Sequence, residues 1–163
     1  MNKNNIFPKT AHSAVFVGME DIGAIIEERV ADGQSVELSP RGVSMLPLIR
    51  EGKDSVILSP KPERLRKYDI PLYRRADGSY ILHRVVGFSG DTYIMCGDNQ
   101  YVMERGVPHS RVVAVVSKIR RGGRLIGVND PIYRLYTIAW CVSRPLRHLA
   151  LRVLRRIKRI FTK

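Results

Sequence analysis

Between Asp54 and Val128 the chain is punctuated by glycine turns set between β-branched and aromatic runs. "YRRADGSYILHRVVGF" carries Asp77-Gly78, "FSGDTYIMCGDN" carries Ser89-Gly90-Asp91, and "RVVAVVSKIRRGGRLIGV" carries Gly122-Gly123. Tight hairpin turns need residues that tolerate positive φ, and these sequences supply them at little steric cost. The stretch therefore reads as strands joined by tight turns. "DSVILS" and "DIPLYRR" add two short extended runs. Pro71 has no N–H to give to a ladder, which predicts that its strand lies near a sheet edge.

Residues 1–17 read as irregular, and helices bracket the β-rich body. In "MEDIGAIIEERVA", from Met19 to Ala31, Ile22, Ile25, Ile26 and Val30 share one helical face, and Asp32-Gly33 ends the helix. "SVELSP" then reads as a short strand. At the other end Pro131 opens a helix containing "IYRLYTIAWCVS", and Pro145 opens a second over 145–161. On a wheel of the second, Leu146, Leu149, Ala150, Val153, Leu154, Ile157, Ile160 and Phe161 fall within an arc of about 140°. Arg147, His148, Arg152, Arg155, Arg156, Lys158, Arg159 and Lys163 take the rest, and Leu151 alone is misplaced. The expected fold is mainly β (α+β overall), with one N-terminal helix and a C-terminal pair of basic amphipathic helices. Its organisation is 1–36 as irregular segment and helix, 37–129 as β-rich domain, and 130–163 as helical tail.

The charge follows this division. The chain of 163 residues has a net charge of +13, yet residues 1–117 hold 15 Lys/Arg against 14 Asp/Glu. Residues 118–163 hold 13 basic side chains against one acid, Asp130. The basicity is a property of the tail, so it does not make the body a nucleic-acid binder. A hydrophobic content of 44% with 26% charged residues is that of a folded chain. Cys96 and Cys141 are too few for a disulfide framework, and the four histidines show no metal-ligand spacing, so neither metal nor cofactor is expected. The N-terminus has no long apolar run, and "LYTIAWCV" at 135–142 is less than half of the ~18 apolar residues a span requires. A cytoplasmic or peripherally membrane-associated chain without signal peptide is the expectation.

One stretch carries chemistry. "RGVSMLPLIREG" sets Ser44 on a turn in which Gly42 lets another backbone come close, Met45 and Leu46 anchor the loop, and Pro47 ends it rigidly. A serine hydroxyl needs a base within hydrogen-bond reach and donors for the oxyanion it creates. His83 in "YILHRVVG" is the natural base, because a neutral imidazole accepts a proton near neutral pH. Strand alternation puts Ile81, His83 and Val85 on one face and Leu82, Arg84 and Val86 on the other. Asp98 in "CGDNQ" could orient the ring as the third member of a triad. From residue types alone, Ser44 can also be a turn serine, His83 a structural residue, and Asp98 a turn aspartate bonded to its own backbone.

Taken in order, "GVSMLPLIREG", "YDIPLYR", "YILHRVVG" and "YIMCGDNQ" resemble the motif series of the signal peptidase I and LexA-type serine peptidase superfamily, over roughly residues 38–120. The resemblance implies a coiled, partly barrel-like β-sheet peptidase domain whose groove binds substrate as an added strand. It implies Ser44 as nucleophile and His83 as base in an arrangement similar to the endoplasmic-reticulum type of signal peptidase, with Asp98 nearby. Gly42, Met45, Pro47, Asp69, Arg84 and Asn99 would support the groove and the loop. Gly42 stands where many relatives carry a hydroxyl donor, so the oxyanion would depend on backbone N–H groups, including that of Ser44.

The expected activity is that of a serine endopeptidase cutting a leader- or signal-like segment of a peptide or precursor protein, after small side chains. The alternatives are a non-catalytic peptide- or membrane-binding module on the same fold and a nucleic-acid-associated regulator. Three roles fit the tail. Its apolar stripe can pack on the body, or it can lie in an anionic membrane interface with Trp140, Tyr133 and Tyr136 at the boundary and Arg147, Arg152, Arg155, Arg156, Lys158 and Arg159 on headgroups. It can also contact nucleic-acid phosphates, though no recognition motif supports that partner.

Overall fold

A computed structural model describes residues 19–147 and 149. The chain is mainly β, with a curled half-barrel sheet and few helices. The front helix, α1, runs Met19–Ala31 as its periodicity predicts. Ile26 and Val30 are buried, with Ile22 packed beside them. Ile25, expected on the same face, is 51% exposed. Ile22, Ile26 and Val30 stand four residues apart and define the contact line, whereas Ile25 lies about 100° round the helix from Ile26. Gly33 closes the helix with φ 77°.

The strands are β1 Val36–Leu38, β2 Asp54–Pro60, β3 Pro71–Arg74, β4 Tyr80–Leu82, β5 Arg84–Ser89, β6 Thr92–Cys96, β7 Glu104–Pro108, β8 Val112–Arg121 and β9 Arg124–Gly127. They form two antiparallel sheets, one ordered β1-β2-β8-β3-β4 with β9 also on β8, the other β5-β6-β7. The three expected turns join β3 to β4, β5 to β6 and β8 to β9. Gly78, Gly90, Gly122 and Gly123 all take positive φ there. At the first turn the Asp77 carboxylate accepts from the Ser79 N–H at 2.9 Å.

Two features differ from expectation. β3 is not an edge strand, since it lies between β8 and β4. Pro71 is its first residue, and the β4 pairing begins only at Leu72, so the missing N–H breaks no β3–β4 bond. β7 was not foreseen, because Glu-Arg-Gly-Val-Pro has little strand propensity. Its pairing with β6, Tyr93 opposite Val107, makes it a strand.

Two apolar clusters result. One joins α1 and the serine loop (Met45, Leu48, Ile49) to the large sheet through Val56, Leu58 and Val116. The other, with Leu65, Tyr73, Val85, Tyr93 and Met95, lies where the two sheets meet. Leu82 belongs to the first cluster and Val85 to the second. His83 therefore sits at the seam between the sheets, in the single residue separating β4 from β5.

The last element, α2, spans Pro131–Val142 and is capped by Asp130, which accepts from the Ile132 N–H at 2.8 Å. Residues 144–147 are also helical. Most of the stretch expected to form the second tail helix, including Arg152, Arg155, Arg156, Lys158 and Arg159, lies outside the described residues. Among the described residues no helix is long and apolar enough to cross a membrane.

A close contact makes α1 testable. A Cβ at Gly23 would stand 2.0 Å from the ring of Tyr80, whose hydroxyl donates to Glu27 at 2.8 Å. Gly→Ala in a helix ordinarily stabilises by up to ~1 kcal/mol, but forcing the ring aside costs about 1–3 kcal/mol. Gly23→Ala is expected to lower stability in urea denaturation; a gain would mean that the ring moves freely.

Candidate active site

The serine loop is fixed at three places. Met45, Leu48 and Ile49 are buried in the first cluster, while Leu46, expected as an anchor, is half-buried. Arg50 closes the loop on Asp54, at the start of β2, with its N–H at 2.9 Å and its guanidinium at 2.8 Å. Arg121 donates to the carbonyl of Pro47 at 3.1 Å. Ser44 itself is half-buried.

The close approach expected at Gly42 occurs elsewhere. A Cβ on Gly42 would meet nothing within 4 Å; the position needs glycine because its φ is 89°. The crowded glycine is Gly97, where a Cβ would stand 2.7 Å from the Ser44 carbonyl oxygen. The turn that follows clamps the serine loop, with the Asn99 N–H donating to Ser44 O at 2.8 Å and its side-chain amide to Val43 O at 3.2 Å. Gly97 and Asn99 thus hold the Ser44 backbone. Among the described residues the Ser44 N–H donates to no protein acceptor.

Ser44 and His83 line one cavity of about 230 Å³, together with Arg75, Tyr80, Leu82 and Gln100. No hydrogen bond joins the two among the described residues. A second space of about 580 Å³ lies against the same His83, Arg75 and Gln100, with Val102 and Glu104. Alongside runs β4, the last strand in the order of its sheet.

The partner of the imidazole is one the sequence reading missed. His83 Nδ1 lies 3.4 Å from the Tyr73 hydroxyl, and that hydroxyl donates to Glu104 Oε2 at 2.8 Å. Arg75 donates to the same carboxylate oxygen from Nε at 2.9 Å and Nη2 at 2.6 Å. Glu104 is thereby kept ionised: burial works to raise its carboxyl, but bonds from Arg75 and Tyr73 outweigh this and hold it below the ordinary range. Because Tyr73 spends its proton on Glu104, the contact to His83 requires Nδ1 to carry the hydrogen. Nε2 then keeps the lone pair that a base needs. Burial, with Arg75 adding to it and Glu104 and Asp98 opposing, pushes the His83 imidazole down to about 4, so it is neutral at pH 7.

Hairpin parity contained a signal for Tyr73. Tyr73 pairs with Ile81 across the β3–β4 hairpin, and His83 is two residues beyond Ile81, so all three share a face. Glu104 comes from the unforeseen β7 and had no such signal.

Asp98 does not orient the imidazole. Its two carboxylate oxygens accept from Arg84 Nε at 2.8 Å and Nη2 at 2.6 Å, with both side chains fully buried. Alternation explains the difference, because Arg84 is on the opposite strand face from His83 and meets the Gly-Asp-Asn turn there. Arg84 also donates to the Tyr68 carbonyl at 2.9 Å and to the Tyr133 hydroxyl at 3.3 Å. Burial would lower the guanidinium, but Asp98 outweighs it and holds the proton more tightly than usual. Asp69 is a backbone support: its carbonyl accepts from the Val85 N–H at 2.9 Å, and burial raises its carboxyl despite a bond from the Arg66 N–H. Trp140 turns its indole N–H inward to the Asp98 carbonyl at 3.2 Å, and Arg147 stacks on that indole at 3.5 Å.

Compared with known proteins, the chain matches no family model, no curated protein and no solved structure. Among the described residues no group of three or more His, Cys, Asp or Glu is placed to hold a metal.

The buried pair yields a sharp expectation. Removing one partner strands a charge and costs about 3–5 kcal/mol, whereas replacing both with apolar side chains is far milder. In chemical denaturation Asp98→Ala should lose that much, and Arg84→Met with Asp98→Leu clearly less. Equal losses would show that the pair is not the source of the effect.

Proposed function

We propose that the chain is a serine endopeptidase that cleaves a leader- or signal-like peptide segment, with Ser44 as nucleophile and His83 as general base. The observation that carries this reading is the cavity lined by both Ser44 and His83, with the His83 Nδ1 3.4 Å from the Tyr73 hydroxyl. The four sequence boxes that resemble the signal peptidase I and LexA-type superfamily support it. The substrate would lie as an extended strand along the cavity, its scissile carbonyl over Ser44. His83 Nε2 takes the Ser44 proton as Oγ attacks, and the Ser44 N–H stabilises the oxyanion. His83 then returns the proton to the leaving amine, and water, deprotonated by the same ring, hydrolyses the acyl-enzyme. Tyr73 and Glu104 take the orienting place that the resemblance gave to Asp98.

The direct test is mass spectrometry of a diverse peptide library after incubation with wild type and with Ser44→Ala. New termini in the wild type alone, enriched after small side chains, are expected. Peptide binding by both proteins without any cleavage would instead establish a non-catalytic binding module.

The imidazole sets the pH dependence. A base held down to about 4 stays competent well below the ordinary 6.5, so kcat/KM should fall on acidification only as pH approaches about 4. The unfolded chain binds a proton below about 6.5 that the folded chain refuses until about 4, so folding loses stability across that window as pH falls. Melting curves should therefore show wild type losing stability relative to His83→Gln between those pH values. An acid limb at 6.5 would place the ring in water, contrary to its burial.

A further inference from the structure

The tail begins with a helix that leaves an aliphatic stripe in water. On α2 and its continuation, Ile132, Leu135, Ile138, Val142, Leu146 and Leu149 recur at spacings of three and four residues, and all are exposed, from 44% to 80%. The inward side carries Tyr133, Thr137 and Arg144, all buried. Tyr133 and Tyr136 pack on the first apolar cluster, so the helix buries its aromatic side and leaves the aliphatic one outside. Polar anchors set this orientation, since Tyr133 receives Arg84 and Trp140 reaches Asp98.

The surroundings of the stripe are cationic. A cavity of about 400 Å³ beside Ile138 is lined by Arg66, Lys67 and Arg134, with Asp69 also in its wall. From 131 to 163 the sequence holds nine Lys/Arg and no Asp or Glu. We propose that this face docks on an anionic lipid surface. The aliphatic side chains enter the boundary between headgroups and acyl chains, while Arg66, Lys67, Arg134 and the basic tail meet the phosphates. A second copy is a poor occupant, because it would bring two strongly cationic segments together. Nucleic acid would neutralise the charge and leave the aliphatic stripe in water. The inference does not depend on the Ser44 chemistry, so the two readings fail separately.

The test is co-sedimentation of the full chain with vesicles of phosphatidylglycerol and phosphatidylcholine in equal parts, and with phosphatidylcholine alone. Wild type should partition onto the anionic vesicles, and a Leu135→Glu, Val142→Glu variant should lose on the order of tenfold or more of that partitioning. Both positions are exposed, at 70% and 67%, so the melting curve should not move. If it does, the Leu135→Ser, Val142→Ser pair is read in the same way. Added salt should weaken wild-type binding without abolishing it. Equal sedimentation of wild type and variant, or wild type left in the supernatant, would overturn the proposal. So would a wild-type dimer dissolved by the same substitutions, which would assign the face to a second copy.

Discussion

The buried ion pair between Arg84 and Asp98 joins the two halves of the candidate site. Arg84 follows His83 in the chain, and Asp98 precedes Asn99, the residue that clamps the Ser44 backbone. One salt bridge thus fixes the seam that carries His83 against the turn that holds Ser44. The same guanidinium and the same aspartate reach Tyr68 and α2, so four chain segments converge on one charge pair. A buried pair of this kind adds little net stability but strongly disfavours arrangements in which either charge is left alone. Its role here is to specify an arrangement.

The histidine network solves a different problem. To act as the proposed base, His83 needs its ring turned, its proton on the correct nitrogen, and its charge suppressed at neutral pH. The hydroxyl of Tyr73 meets the first two needs only because Glu104 takes its hydrogen, and Glu104 can do so only because Arg75 keeps it ionised. Burial meets the third. Orientation passes through a neutral hydroxyl, so the nearest carboxylate is not in direct contact with the ring.

Much of this fold was legible in local chemistry. α1, the three glycine turns and the helix start at Pro131 depend on nearby residues, and each occurs where it was expected. Ser44 and His83 were legible as candidates because their residue types are chemically demanding. The position of Asp98 was legible and its partner was not, since strand parity assigns Arg84 a face without saying what waits there. β7 and Glu104 escaped because that strand exists by pairing with β6 rather than by its own propensity. The space for a close contact likewise belongs to Gly97 rather than Gly42, a difference that depends on how two distant turns meet.

The brevity of β4 has a consequence for selectivity. Its edge is only three residues long, so an incoming chain can form very few main-chain bonds along it. Backbone pairing is indifferent to sequence, and a long edge would hold almost any extended peptide. With so little of that generic adhesion available, residence on the proposed peptidase would have to come from side chains filling the hollows on either side of His83. The proposed peptidase would therefore bind poor substrates weakly and release them quickly, leaving most exposed segments of other proteins uncut.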